Sequence, residues 1–130
     1  MAIQQTKAAA ELERSAATIS SHRVISLLME GALERVQQAR DCVEQGNNTE
    51  KQLLVEKIIA IINGLRSSLN LNEGGDIAIN LDSLYDYMLA RISSADDDNE
   101  ALIFSEVSKL IEELKSGWDA IDEQQVASLS

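Results

Sequence analysis

The chain has no proline, one cysteine, one histidine and only 3% aromatic residues in its 130 positions. Each scarcity removes a class of protein. With Cys42 alone, no internal disulfide can form, and its helical stretch offers neither a histidine nor a second cysteine with which to hold a metal. It reads instead as a small core or boundary residue. A single histidine, His22, cannot supply the two Glu-x-x-His pairs of a di-iron bundle. Positive charge is also scarce. Eleven Lys and Arg face 22 Asp and Glu, and the formal net charge of −11 repels a phosphate backbone or an anionic lipid surface at long range. Nucleic acid and membrane are therefore excluded as expected partners. The longest apolar run, Ile58 to Ile62, falls far short of the ~20 residues that cross a bilayer. The polar start Met1-Ala2-Ile3-Gln4-Gln5-Thr6-Lys7 lacks a signal peptide's apolar stretch, so the expected location is the cytoplasm.

What remains is rich in Leu, Ile, Val and Ala, a mix that suits helices packed on helices. A chain of this length supports one core, burying roughly two thirds of its unfolded surface. Four stretches carry apolar residues at helical spacing. The first runs from about Ser21 to Gln45, where Ile25, Leu28, Ala32, Val36, Ala39 and Val43 share a face, and Gly46-Asn47-Asn48 ends it. The second is expected to start at a capping box, Thr49-Glu50-Lys51-Gln52, with the stripe Leu54, Ile58, Ile61, Leu65 and Leu69. Val55, Ile59 and Ile62 widen that stripe, so this helix is either deeply buried or meets a partner on its flank. Asn70 to Asp76 reads as a turn around Gly74-Gly75, with no Lys-Ser or Lys-Thr to complete a phosphate loop.

The third helix is predicted from Asn80, with Leu81, Leu84, Tyr85, Met88, Leu89 and Ile92 on its inner side. Asp96, Asp97 and Asp98 precede the fourth, where Asp97 to Glu100 has capping-box spacing and acidic groups oppose the helix dipole. The alternating ligands, internal Gly and distant Glu of a calcium loop are missing. Ile103, Val107, Leu110, Ile111, Leu114, Trp118 and Ile121 continue in register over about 24 residues, or ~36 Å. Short connections make neighbours antiparallel, so the fold class is all-α, an up-down four-helix bundle spanning residues 21–123. Residues 1–20 have helical propensity but few apolar anchors, and are expected either to fray or to dock as a detachable cap. Residues 124–130 are expected to form a disordered tail.

No catalytic constellation stands out. Carboxylates are abundant, but in an acidic protein they form a solvated face far more often than an acid/base pair. His22 on a bundle helix leaves histidine phosphotransfer open as an alternative. Such domains carry Lys and Gly just after the histidine, whereas Arg23-Val24-Ile25-Ser26 follows here, and His22 falls in the first turn of its predicted helix. A structural, self-associating bundle is the other alternative.

Three stretches carry a more specific signal. Thr18-Ile19-Ser20-Ser21-His22-Arg23-Val24-Ile25-Ser26-Leu27-Leu28-Met29-Glu30-Gly31-Ala32 follows the pattern T-A-S-P, a variable pair, L-I, then M-L-Y-D-G-A. Ile61 to Asn70 leads into Gly74-Gly75-Asp76-Ile77-Ala78 and then Leu84-Tyr85-Asp86-Tyr87-Met88, the most specific block. Glu106-Val107 through Trp118 is the third. Together, from Thr18 to Ile121, they resemble the flagellar export chaperones of the FliS family. The departures are Ser21 in place of Pro, Met29 in place of Tyr, and no tyrosine in the N-terminal segment.

The resemblance implies an antiparallel four-helix bundle that binds the disordered C-terminal region of flagellin 1:1 in the cytoplasm. It implies that the bundle blocks premature polymerisation and delivers the subunit to the flagellar type III export apparatus. Export-gate components or flagellar regulators as further partners, and a homodimer in the free state, stay open. No cofactor, metal or enzymatic activity is expected. Physics supports such a role, because a monomer with an exposed amphipathic segment aggregates until its apolar stripe is covered. The client surface is assigned to Val24, Leu27, Leu28 and Gly31 on the first helix and Tyr85, Met88 and Leu89 on the third, with Leu12 and Ile19 in competition. Core packing is the alternative for each, and the favoured one for Leu28 and Met88. Gly31 costs ~1 kcal/mol relative to Ala inside a helix, which points to a close approach by another backbone. Trp118 is expected to anchor the fourth helix on the core, its indole N–H needing a partner.

Overall fold

A computed structural model describes the backbone of residues 2–70, 72 and 74–121, and the side chains of 22–70, 72 and 74–121. Four helices follow one another, α1 (Ala2–Gln45), α2 (Asn48–Ser67), α3 (Gly75–Ser93) and α4 (Glu100–Ala120), and the described residues contain no strand. Helix α1 packs on α2 and α4, and α3 packs on the same two, so α1 and α3 face each other across the diagonal of a square. The predicted up-down bundle is the observed one.

The termini show how the sequence sets the boundaries. Helix α1 stops in a left-handed Gly46 (φ 72°), with Asn47 N–H donating to the Cys42 carbonyl at 2.9 Å and Gly46 N–H to Val43 at 3.3 Å. These paired bonds satisfy carbonyls that the helix leaves open, and glycine supplies the conformation at no steric cost. Asn47 then caps α2, its side-chain oxygen accepting from Glu50 N–H at 3.3 Å. The cap is thus Asn47, two residues before the predicted Thr49. With one residue serving both helices, the connection tightens into a hairpin and α2 is forced back along α1.

Two further boundaries differ from expectation. Helix α3 begins at Gly75, well before Asn80, which brings Ala78 into the core and places Asp76 in the first turn against the helix dipole. At the start of α4 the carboxylate that caps is that of Asp96, accepting from Asp98 and Asn99 N–H at 2.9 and 3.0 Å. Glu100 is therefore free of the predicted capping box and instead meets Lys51 Nζ at 2.7 Å. Helix α1 shows no break at Ser21. No Gly or Pro interrupts positions 2–30, and Ala, Gln and Glu there favour helix. At 44 residues it runs about 66 Å, roughly twice each partner. The side chains of Leu12 and Ile19 lie outside the described residues.

The core is built from Ile25, Met29, Ala32, Val36 and Ala39 of α1, which meet Leu54, Ile58, Ile62 and Leu65 of α2. Tyr85, Met88 and Ile92 come from α3, and Ile103, Phe104, Val107, Ile111 and Trp118 from α4. In two helices the buried stripe keeps its register but individual positions move by one residue from the prediction. Met29 rather than Leu28 is sealed in α1, and Ile62 rather than Ile61 in α2. Polar clasps bind the seams from outside. Arg66 grips Asp82 through Nε at 2.6 Å and Nη2 at 3.3 Å, and Asp86 through Nη1 at 3.1 Å, joining α2 to α3. Glu106 accepts from Arg91 at 2.9 Å and Tyr87 at 3.1 Å, joining α3 to α4.

Candidate interaction surface

Residues at i, i+3, i+4 and i+7 of a helix share one face. Val24, Leu27, Leu28 and Gly31 are such a set, and here they form a strip along the α1–α2 seam. Val24 and Leu27 are 46% and 48% exposed, while Leu28 and Gly31 are half-buried. A Cβ added to Gly31 would lie 3.1 Å from Nη1 of Arg35 and 3.9 Å from Cδ1 of Ile61. The Arg35 guanidinium also donates to the Gly31 carbonyl at 3.0 Å. Within the folded chain, then, Gly31 makes room for two side chains, one from its own helix and one from α2, and the expected close approach of a backbone is not made by the bundle itself.

The α3 residues assigned with this strip do not join it. Tyr85 and Met88 are 2% and 0% exposed and belong to the core, which corrects their assignment to a surface. The inward face of α3 is filled by its two neighbours, and burial pushes the Tyr85 phenol up to about 12. Leu89 is half-buried on α3, and because α3 stands diagonally opposite α1, no single groove includes both Leu89 and Leu27.

A second apolar surface lies on the opposite side of the square. The α3–α4 seam is the loosest of the four, and its lower half opens into a trough of ≈ 320 Å3. Ile77, Leu81 and Leu84 form one wall and Leu110, Leu114 and Ile121 the other, with buried Met29 at the base. Ile77 on its rim is 61% exposed. Above the trough, the clasp of Tyr87 and Arg91 on Glu106 closes the seam. Sequence reasoning missed this site because it started the third helix at Asn80 and so left Ile77 outside it. The available signal was the spacing of Ile77, Leu81 and Leu84, which continues the helix period back through the glycines.

Chemistry is sparse elsewhere. Among the described residues no group of three or more His, Cys, Asp and Glu could hold a metal ion, and no helix is long and apolar enough to cross a membrane. Cys42 is buried, as expected of a core residue. His22 Nε2 lies 2.7 Å from the Trp118 carbonyl oxygen, and its ring stacks on the indole. A smaller space of ≈ 280 Å3 between α2, α3 and the α3–α4 connection has a polar lining that includes Lys51, Asp96, Asp97 and Glu100.

Among the described residues the surplus features of this all-α bundle are apolar seams, surfaces of the kind on which another polypeptide can lie. Comparison with known proteins gives the class a family. The family model described as flagellar protein FliS matches residues 3–125. Flagellar secretion chaperone FliSB of Pseudomonas aeruginosa is 46% identical over 110 residues, covering 85% of this chain and 87% of that one. Flagellar secretion chaperone FliS of Vibrio cholerae is 42% identical over 102 residues, covering 78% and 75%, and that of Salmonella typhimurium is 37% identical over 111 residues, covering 85% and 82%. The chain belongs to the FliS family.

Proposed function

We propose that the chain is a cytoplasmic export chaperone that holds the C-terminal segment of flagellin, keeps the subunit from polymerising early, and hands it to the flagellar type III export apparatus. The relatives are named as flagellar secretion chaperones, and the observation that carries the client-binding part is the strip at Val24, Leu27, Leu28 and Gly31. Two large apolar side chains, Val24 and Leu27, stand nearly half exposed on one face, one turn apart, with Gly31 one turn further along the same face. An amphipathic client helix can lay its own i, i+3, i+4 stripe against such a face. Burying the strip removes apolar surface from water on both partners at about 25 cal/mol per Å2. Part of that gain offsets the several kcal/mol needed to order a disordered segment, so binding is firm enough to shield and weak enough to release.

The alternative of phosphotransfer through His22 has no observation in its favour, since one ring nitrogen and one ring face are engaged by Trp118. Titration calorimetry of the intact chain with a flagellin C-terminal segment tests the proposal. A 1:1 complex at micromolar concentration or tighter is expected. Absence of binding, with light scattering showing self-association instead, supports the purely structural alternative and overturns the chaperone reading.

A further inference from the structure

The end of the bundle at which α2 and α4 begin holds a cavity of ≈ 280 Å3 beneath the α3–α4 connection. It draws on Lys51 to Ile59 of α2, whereas the strip lies further along, where Gly31 sits beside Ile61. Its inner wall is apolar, made by Val55, Ile59, Ile92 and Phe104, the last two buried. Its mouth is charged. Asp96, Asp97 and Glu100 set three carboxylates against the single ammonium of Lys51, and that ammonium is already engaged by Glu100 Oε2 at 2.7 Å. Glu100 is only 8% exposed, and its other oxygen, Oε1, makes no hydrogen bond or ion pair among the described residues. No sealed side-chain oxygen among those residues lacks a partner, so Oε1 opens onto the cavity that Glu100 lines. A carboxylate oxygen set against an apolar wall is costly until a donor meets it. Asp97 is exposed at the rim and its side chain is likewise unmatched, while Asp96 is occupied in capping α4.

We propose that this cavity receives one lysine or arginine side chain from a basic segment of a partner protein, its stem against Val55, Ile92 and Phe104 and its cationic head between Glu100 Oε1 and Asp97. The chemistry of the occupant follows from the wall. Lysine and arginine are the side chains that join an apolar stem to a cationic tip, and a head shared by two carboxylates makes charge-assisted bonds at both. A bare metal ion is a poor match, because no group of His, Cys, Asp and Glu among the described residues could hold one. An acidic or neutral anchor would leave Oε1 unmet or face a like charge, so the same carboxylates reject as well as select. A segment rather than a free amine is favoured by what surrounds the mouth. Asp98 is exposed and continues the acidic run outside the cavity, so basic residues flanking the anchor also find opposite charge. The net charge of −11 steers such a segment toward the chain from a distance. Lys51 has a positioning part, since its bond to Oε2 fixes the carboxylate with Oε1 left for the guest. The site stands independently of the chaperone reading, and it leaves the Val24–Gly31 strip clear for a client.

The test is an NMR titration of the full, methyl-labelled chain with the peptide acetyl-Gly-Lys-Gly-Lys-Gly-amide. Two counterparts carry norleucine, which keeps the stem and loses the charge, or diaminobutyrate, which keeps the charge on a shorter stem. The lysine peptide is expected to move the methyl signals of Val55, Ile59 and Ile92 saturably at about 1 mM or tighter, a single anchor being only part of an interface. Both counterparts should bind at least about fivefold more weakly, as should the lysine peptide on an Asp97→Lys chain, whose change lies on the exposed rim and spares the fold. Lys51→Met combined with Glu100→Leu is expected to abolish the methyl shifts while the unfolding midpoint stays near that of the wild type. Equal binding of the diaminobutyrate peptide, with shifts confined to the backbone amides of 96–98, would show attraction to surface acids alone and overturn the site. Spermidine moving the same methyls at lower concentration than the lysine peptide would make a free amine the occupant and overturn the partner segment. Unmoved methyls in the wild type overturn the proposal outright, and none of these results bears on whether a flagellin segment binds the strip.

Discussion

His22 and Trp118 hold each other twice. The indole N–H of Trp118 donates to the His22 backbone carbonyl at 2.9 Å, and His22 Nε2 donates back to the Trp118 carbonyl at 2.7 Å, with the two rings stacked at 5.5 Å and 12°. A carbonyl oxygen only accepts, so the bonded Nε2 carries the proton. The pair joins α1 to the last turn of α4, where the Trp118 carbonyl also accepts from Ile121 N–H at 3.2 Å. It also gives the Trp118 indole the partner that its burial requires. Trp118→Phe keeps the stack and loses one hydrogen bond, so a loss of about 1 kcal/mol is expected in urea unfolding. Trp118→Ala removes the ring from a 7%-exposed site and is expected to cost about 3–5 kcal/mol. Equal midpoints for the two variants would show that the ring contributes nothing beyond its N–H.

Glu106 sets the acid limit of the α3–α4 seam. Its carboxyl is held below the ordinary glutamate value, chiefly by the Arg91 hydrogen bond, with Tyr87 adding to it. Asp119 is lowered in the same way by Lys115 and then Ser26. A depressed carboxyl means that the unfolded chain binds more protons in the acid range, so the stabilisation is complete above the ordinary carboxylate pKa of about 4 and is lost as pH falls through the folded value. Denaturant midpoints measured from pH 7 downwards should therefore decline more steeply in the wild type than in Glu106→Gln. Because both clasps are half-exposed, 0.5 M salt should narrow the difference.

Lys51 and Glu100 make a different kind of pair. Their side chains are only 12% and 11% exposed, and Nζ lies 2.7 Å from the carboxylate. Removing one partner leaves a charge with little water around it, so Lys51→Met or Glu100→Gln alone is expected to cost about 3 kcal/mol. Replacing both together with Met and Leu should recover most of that loss, since well-packed apolar groups avoid the desolvation altogether. A double-mutant cycle in thermal unfolding measures the coupling, and additive losses would contradict the pairing.

Much of this architecture was readable from residue spacing. The stripe Ile25, Ala32, Val36 and Ala39 named the core face of α1 because a 3.6-residue period admits one buried side, and α2 was legible in the same way through Leu54, Ile58 and Leu65. Where two apolar residues were adjacent, as at Leu28-Met29 and Ile61-Ile62, periodicity could not choose between them, and packing against the neighbouring helices decided it. The caps were misplaced for a related reason. Asn47, Thr49, Asp96 and Asp97 all have suitable side chains, and the chosen residue is the one that lets the connection close, which depends on the partner helix. The strip at Val24 and Leu27 was partly legible, since these residues fall off the core period. Tyr85 and Met88 were assigned to the client surface although their spacing also put them on the inner side of α3, with core packing favoured for Met88, and both are buried. The trough was not legible, because it depends on how far apart α3 and α4 stand, and no local pattern encodes a separation.

The division between strip and core makes opposite forecasts for two residues named together at the outset. Met88 is fully enclosed, and its truncation leaves a cavity, so Met88→Ala is expected to destabilise the fold by about 2–5 kcal/mol. Its folded fraction should still bind a flagellin C-terminal segment with wild-type affinity, since the residue touches only the interior. Leu27 is 48% exposed, and Leu27→Ala should leave stability within about 0.5 kcal/mol. Its effect falls on the complex instead, because truncating a central apolar anchor of a docked helix commonly costs more than about 1 kcal/mol, or roughly fivefold or more in affinity. Unfolding and calorimetry on the same two preparations separate the cases. Should Leu27→Ala bind as wild type while Met88→Ala loses affinity at temperatures where it is fully folded, the client would have to reach the interior by opening α3, and the Val24–Gly31 strip would be an ordinary solvent face.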